Sequence, residues 1–118
     1  MNGMLRQMMG STKKIKQFDI YWVNLNPTRG SEIRKTRPCI IISPDEMNEV
    51  LRTVLVIPIT STIIEWPFRL TITLNSKKSS AACDQLRTIA KERLQDKFST
   101  LPMREQVKLL DILQNMFS

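Results

Sequence analysis

Between residues 29 and 37 the chain reads Arg-Gly-Ser-Glu-Ile-Arg-Lys-Thr-Arg, which sets the cations Arg29, Arg34, Lys35 and Arg37 around one carboxylate, Glu32. Such a loop suits a polyanion. Guanidinium groups bind phosphate oxygens two at a time, Ser31 adds a hydroxyl, and Gly30 lets backbone N–H groups come close to a phosphate. A merely solvated loop is the common alternative, but a long loop between two apolar strands favours function. Arg37 joins directly to Pro38 and an apolar strand. A guanidinium fixed there can hold a transferring phosphate while charge develops; the competing role is a rim salt bridge to Glu32 or Asp84. Thr60 and Ser61 end an apolar run with hydroxyls that can bond phosphate oxygens or a ribose 2′-OH, although capping and turn roles are commoner for these residues. In Asp84-Gln85-Leu86-Arg87, strand alternation would put Asp84 and Leu86 on one face and Gln85 and Arg87 on the other. Gln85 then suits structure or base recognition, and Arg87 a phosphate contact or a plain surface charge. Trp22 and Trp66 have rings on which bases can stack, with Trp22 read as core.

The bounds around this set are narrow. At 118 residues one domain is expected, with a modest core. A net charge of +7 favours a polyanionic partner. There is no histidine, which excludes Ser-His-Asp and Cys-His nucleophiles, HExxH zinc sites and paired-histidine RNA cleavage. Proton transfer, if any, falls to carboxylates, Arg, Lys, Tyr, hydroxyls or water. Cys39 and Cys83 are far apart and in apolar surroundings, so buried reduced thiols in the cytoplasm are expected, and no CxxC suggests zinc. No apolar run approaches the ~20 residues that cross a bilayer, and residues 1–16, rich in Met and Lys, read as a basic flexible tail rather than a secretory signal. The folded domain is expected over 17–118.

The elements that must position the site follow from patterning. Residues 18–25 read as a strand with Phe18, Ile20 and Trp22 on one face. Residues 26–37 form a loop opened by Asn-Pro, and 38–42 a buried strand with proline at its start. Ser43-Pro44-Asp45-Glu46 reads as a capping box on a short helix. Strands follow at 53–59 and 68–74, a basic turn at 75–80, and a further strand at 81–89. A helical turn at 91–94 and a short strand end at 96–100 complete the sheet. From Pro102 the chain is helical, with Met103, Val107, Leu110, Leu113 and Phe117 in one apolar stripe and Leu109, Ile112 and Met116 in a second. The sum is a mainly β protein with helices: a small antiparallel barrel closed by a C-terminal helix.

The order of these motifs is more specific than any one of them. Gly30-Ser31-Glu32, then Arg37-Pro38 entering an apolar strand, then Pro58-Ile59-Thr60-Ser61, then Asp84-Gln85-Leu86-Arg87-Thr88-Ile89 resembles the MazF/PemK toxin family. Phe18 to Pro27 is similar to that family's first strand, and the resemblance runs over about residues 17–117. It implies an SH3-like barrel acting as a homodimer, with single-stranded mRNA across the dimer groove and cleavage to a 2′,3′-cyclic phosphate and a 5′-OH. It implies no metal or cofactor, and a cognate antitoxin whose C-terminal segment occupies the RNA groove. By position Arg37 and Thr60 match the family's catalytic arginine and threonine, Glu32 its loop glutamate, and Asp84 an acid implicated in some members. Arg29, Ser31, Arg34, Lys35, Ser61, Gln85 and Arg87 are the expected RNA contacts. Two departures stand out: Ser31 occupies the place of a histidine found in some relatives, and Ala82 the place of an arginine two before the acid. The rival readings are a protein-binding gyrase poison of the CcdB kind, argued against by the ending Asn-Met-Phe-Ser in place of Trp-Gly-Ile, and a non-catalytic RNA-binding barrel.

Overall fold

The computed structural model describes residues 14–118; the tail expected over 1–16 lies largely outside them. Seven strands and two helices follow one another: β1 (Asp19–Asn24), β2 (Thr36–Ile41), α1 (Asp45–Val50), β3 (Thr53–Thr60), β4 (Arg69–Leu74), β5 (Lys77–Ala82), β6 (Arg87–Ala90), β7 (Leu94–Thr100) and α2 (Met103–Met116). All strand pairs are antiparallel, in the order β4-β5-β3-β2-β1-β7, with β6 also on β3. β3 is the hub. Its first half pairs with β6 through Thr53–Val56 and its end with β5 through Ile59 and Thr60. Pro58 falls in the stretch that neither covers, which suits a residue with no backbone donor.

Both faces of the central strands are apolar, so the curled sheet carries two cores. Ile20, Ile40, Ile57, Ile59 and Ile72 meet Leu101 and Leu109 on one side; Tyr21, Val23, Leu25, Cys39, Ile41, Val54, Val56 and Ile89 meet on the other. Period-two alternation explains the division along β1, β2 and β3. Ile15, before the first strand, is also buried in the second core.

Several expectations need correction. Ser43 does not cap α1: Pro44 is the N-cap and makes no side-chain bond. The buried Ser43 hydroxyl instead donates to Asn48 Oδ1 at 2.5 Å and accepts the Leu55 N–H at 3.1 Å, tying the helix to β3. The turn expected over 75–80 is only Asn75-Ser76, both at positive φ (49° and 63°), the geometry of a two-residue hairpin loop. Lys77–Ser80 belong to β5, where pairing with β4 overrides their poor strand propensity. The strand expected over 81–89 is broken by a 3-10 turn at Cys83–Gln85, which cancels the alternation assigned to Asp84 through Arg87. On α2 the buried line is Leu109 with Ile112 and Leu113. Most of the first stripe faces outward, with Met103 71%, Val107 62% and Phe117 73% exposed.

Candidate active site

The strand register builds the site. Cys39 lies across from Pro58 in the β2–β3 pair, and the same register carried two residues on sets Arg37 opposite Thr60. Both line an open cleft of about 330 Å³, shared with Ser61 from the strand end and with Asn75 and Lys77 from the β4–β5 hairpin. Arg37 is half-buried and its Nε donates to the Arg34 carbonyl at 3.0 Å, which aims the guanidinium without neutralising it. Neither Glu32 nor Asp84 pairs with it, and among the described residues Arg37 has no ion-pair partner. Thr60 is 8% exposed, and its Oγ1 accepts the Thr62 N–H at 3.3 Å; the hydroxyl proton remains available to donate. No acid lines this cleft among the described residues. Arg37 and Lys77 therefore make it a site for an anion.

Glu32 and Asp84 lie in a second cleft of about 240 Å³, with Gln85, Arg87 and Pro58. Pro58 and Thr60 are two positions apart on β3, about 7 Å along a strand, so the two clefts are neighbours. The loop is shaped from within. The Arg29 N–H donates to Glu32 Oε1 at 2.6 Å, the Glu32 N–H to the Arg29 carbonyl at 3.1 Å, and Gly30 between them takes φ 57°. An L side chain is rarely found at that φ. Arg34 Nη2 donates to the Gly30 carbonyl at 3.2 Å, and the Lys35 N–H to Asn26 Oδ1 at 3.1 Å. Gln85 Oε1 accepts the Ile33 N–H at 3.4 Å, a loop anchor rather than a free reading head. Arg87 donates to the Leu25 carbonyl at 3.4 Å. Ser61 is exposed and lines the first cleft, whereas Arg29, Ser31, Arg34 and Lys35 are exposed on the loop and line neither cleft.

Asp84 is committed elsewhere. Arg69 forks onto it, Nε to Oδ1 at 2.6 Å and Nη2 to Oδ2 at 3.0 Å. Burial pushes the Asp84 carboxyl up, but the Arg69 hydrogen bond and charge prevail and hold it below the usual carboxylate value. The same bond raises the Arg69 guanidinium. Arg69 faces Ala82 across the β4–β5 pair, which brings it to the 3-10 turn that carries Asp84, two residues beyond Ala82. Arg69 also lies 5.1 Å from the centre of the Trp66 ring.

Three residues at or beside the clefts carry little sequence signal of their place, and a fourth, Trp22, departs from the core position expected for it. Lys77 and Asn75 were assigned to a turn; only the Lys-Lys pair hinted at them. Arg69 sat in an ordinary alternating strand. Trp22 is not core: it is half-buried and lines the Arg37 cleft with Phe98. The two cysteines are free and fully buried, and desolvation pushes their thiols up to about 12 (Cys39) and about 11 (Cys83), so neither is a nucleophile near neutral pH.

A curled antiparallel sheet with a C-terminal helix, carrying an arginine and a threonine across from each other in a cationic cleft, defines a class of small antiparallel barrels. Residues 16–117 match the model of the PemK-like, MazF-like toxins of type II toxin-antitoxin systems, and the chain belongs to that family. It is 31% identical over 106 residues to the endoribonuclease EndoA of Bacillus subtilis 168, covering 85% of this chain and 91% of that one. It is 32% identical over 72 residues to the endoribonuclease toxin MazF of Escherichia coli K12, a match that spans 61% of this chain and 65% of that relative's length. An endoribonuclease from a mycobacterial species, solved in complex with its cognate antitoxin, shares the fold with a TM-score of 0.73 at 17% identity, over 86% of this chain and 92% of that one. The barrel expected from the sequence is thus the one observed.

Proposed function

We propose that this toxin is a metal-independent, sequence-specific endoribonuclease that cuts single-stranded mRNA by attack of the 2′-OH, leaving 2′,3′-cyclic phosphate and 5′-OH ends. The observation that carries the reading is the Arg37–Thr60 pair facing one cleft that, among the described residues, holds cations and hydroxyls and no acid. RNA brings its own nucleophile. What the protein must add is charge stabilisation at the phosphorane and a proton for the departing 5′-oxygen. Arg37 supplies both. Its guanidinium, which no carboxylate neutralises among the described residues, stabilises the phosphorane charge, a contribution that weighs heavily in a partly dried groove. It also gives an N–H proton to the departing 5′-oxygen, to be replaced by the proton that the base takes from the 2′-OH. Thr60 donates to a non-bridging oxygen and orients the phosphate. Glu32, in the adjoining cleft, is the carboxylate we assign to take the 2′-OH proton, a role worth ~10²–10⁴-fold in rate. Asp84, held by Arg69, we assign to positioning. Arg29, Ser31, Arg34, Lys35, Ser61 and Arg87 track the backbone along the loop and the two clefts, while Gln85 sets the loop that faces the bases.

The cognate antitoxin is read as a partner with an acidic C-terminal segment that occupies the same clefts, which the cationic lining favours. That a mycobacterial endoribonuclease of the same fold is solved in complex with its cognate antitoxin supports an antitoxin as the partner. We assign a homodimer, with the outward stripe of α2 (Met103, Val107, Leu110 and Phe117) against a second copy, because it is a contiguous row of large exposed apolar side chains. Action in the cytoplasm, where mRNA is translated, follows from the reading. The test is digestion of a long unstructured RNA in EDTA beside Arg37→Ala. Discrete fragments ending in cyclic phosphate from the unaltered protein alone are expected. RNA bound but intact would make this a non-catalytic RNA-binding barrel, and RNA neither bound nor cut would move the reading to a protein-binding toxin.

A further inference from the structure

The Arg37 cleft has an aromatic wall. Along β1, Tyr21 and Val23 turn into one core, so Ile20 and Trp22 turn to the other face. Ile20 is fully buried there, whereas Trp22 is half-buried, because the core ends beneath it and the cleft begins. Its strand partner across β2 is Pro38, the residue next to Arg37. Phe98, from β7, braces the indole with ring centroids 5.4 Å apart and planes at 61°, an edge-on contact that fixes ring orientation. Asn75 and Lys77 reach the same cleft from the β4–β5 hairpin. A flat apolar wall, a hydrogen-bonding amide and two cations that have no ion-pair partner among the described residues share one cavity of about 330 Å³. An acidic side chain would use the cations and leave the wall bare; an apolar side chain would do the reverse. A nucleotide uses both.

We propose that Trp22 stacks the nucleobase next to the scissile phosphate and that Lys77 holds an adjacent phosphate, making Trp22 a determinant of affinity and of base preference in the cleavage site. The proposal rests on the ribonuclease reading for its substrate, single-stranded RNA. Stacking on an aromatic side chain tolerates every base but favours those with larger π-faces, so Trp22 biases the site towards purines at one position.

The chain has two tryptophans, and Trp66→Phe leaves Trp22 as the sole indole reporter. That variant is titrated with a short 2′-fluoro RNA strand, which has no 2′-OH to attack, and with an abasic strand of equal length. Saturable quenching of Trp22 by the base-bearing strand, absent with the abasic one, is the expected result. Trp22→Leu should weaken binding of the base-bearing strand by roughly 5- to 150-fold, the range for loss of one base–aromatic stack, and barely change that of the abasic strand. Lys77→Gln should weaken both alike and leave the quenching at saturation intact. Equal quenching by both strands, by poly-glutamate as strongly as by RNA, or tight binding with no quenching would overturn the proposal. Cleavage by the unaltered protein without Trp22 quenching removes the stacking wall and leaves the nuclease. Base-dependent quenching without cleavage keeps the wall and removes the nuclease.

Discussion

Whether Asp84 is a catalytic acid or a brace is decided by removing the arginine that holds it. In Arg69→Met the two charge-assisted bonds to Asp84, at 2.6 and 3.0 Å, and the contact with Trp66 are lost. The side chains are 9% exposed for Arg69 and 26% for Asp84, between a surface ion pair, worth ~0–1 kcal/mol, and a fully buried one, where removing one partner costs ~3–5 kcal/mol. Solvent still reaches the carboxylate, so a loss of about 2 kcal/mol is expected. For a domain of this size that lowers Tm by roughly 8 to 12 °C at fixed protein concentration. Asp84→Asn should destabilise by a similar amount, and the double variant by less than the sum. Cleavage measured well below each variant's Tm should fall by less than about tenfold in all three, because a positioning group acts through geometry rather than proton transfer. The sign with pH follows from the depressed carboxyl. The stabilisation by Asp84 is present above the ordinary carboxylate pKa and is lost as pH falls through the still lower folded value. The gap in stability between the unaltered protein and Asp84→Asn should therefore be constant near neutrality and close in acid. Abolished cleavage in Asp84→Asn with an unchanged Tm would refute this reasoning and make the carboxylate part of the chemistry.

Two further outcomes are expected. Raised to about 12 and about 11 by burial, Cys39 and Cys83 should resist a thiol-specific disulfide reagent at pH 8 and react only at the rate of opening; prompt labelling of either in the folded protein would contradict their burial. Replacing Val107 and Leu110 together by Glu should halve the mass seen by light scattering while far-UV circular dichroism is kept; an unchanged mass would place the dimer contact elsewhere or remove it.

Much of the frame is legible in the chain because it is written in apolar runs. Strands β1, β3 and β4 stand where alternation and β-branched residues put them. β2 starts two residues earlier than expected, because pairing with β1 draws Thr36 and Arg37 out of the loop and into the strand, and the Arg37–Thr60 pair follows once β2 and β3 are paired in register. What escaped depends on tertiary partners. Lys77 through Ser80 look like a turn until β4 lies beside them. The helix α2 offers two apolar lines, and only the sheet beneath decides that Leu109 goes in and Val107 stays out. Arg69 meets Asp84 through strand register, at a separation of 15 residues that no local pattern encodes. Trp22 has the apolar bulk of a core residue and becomes a cleft wall because on its face of β1 the core stops at Ile20.

Arg37 and Thr60, as proposed above, cut RNA without a metal. The most direct measurement is the rate of cleavage of a long single-stranded RNA in EDTA by the unaltered protein, Arg37→Ala, Thr60→Ser and Thr60→Val, with 3′-end analysis of the products. Expected are cyclic-phosphate ends from the unaltered protein, none from Arg37→Ala, most of the rate kept by Thr60→Ser, and a loss of roughly 10²-fold or more in Thr60→Val, the scale for removing one donor to a charged transition state. Full cleavage by Arg37→Ala, or cleavage by the unaltered protein that appears only when a divalent ion is restored, would contradict it.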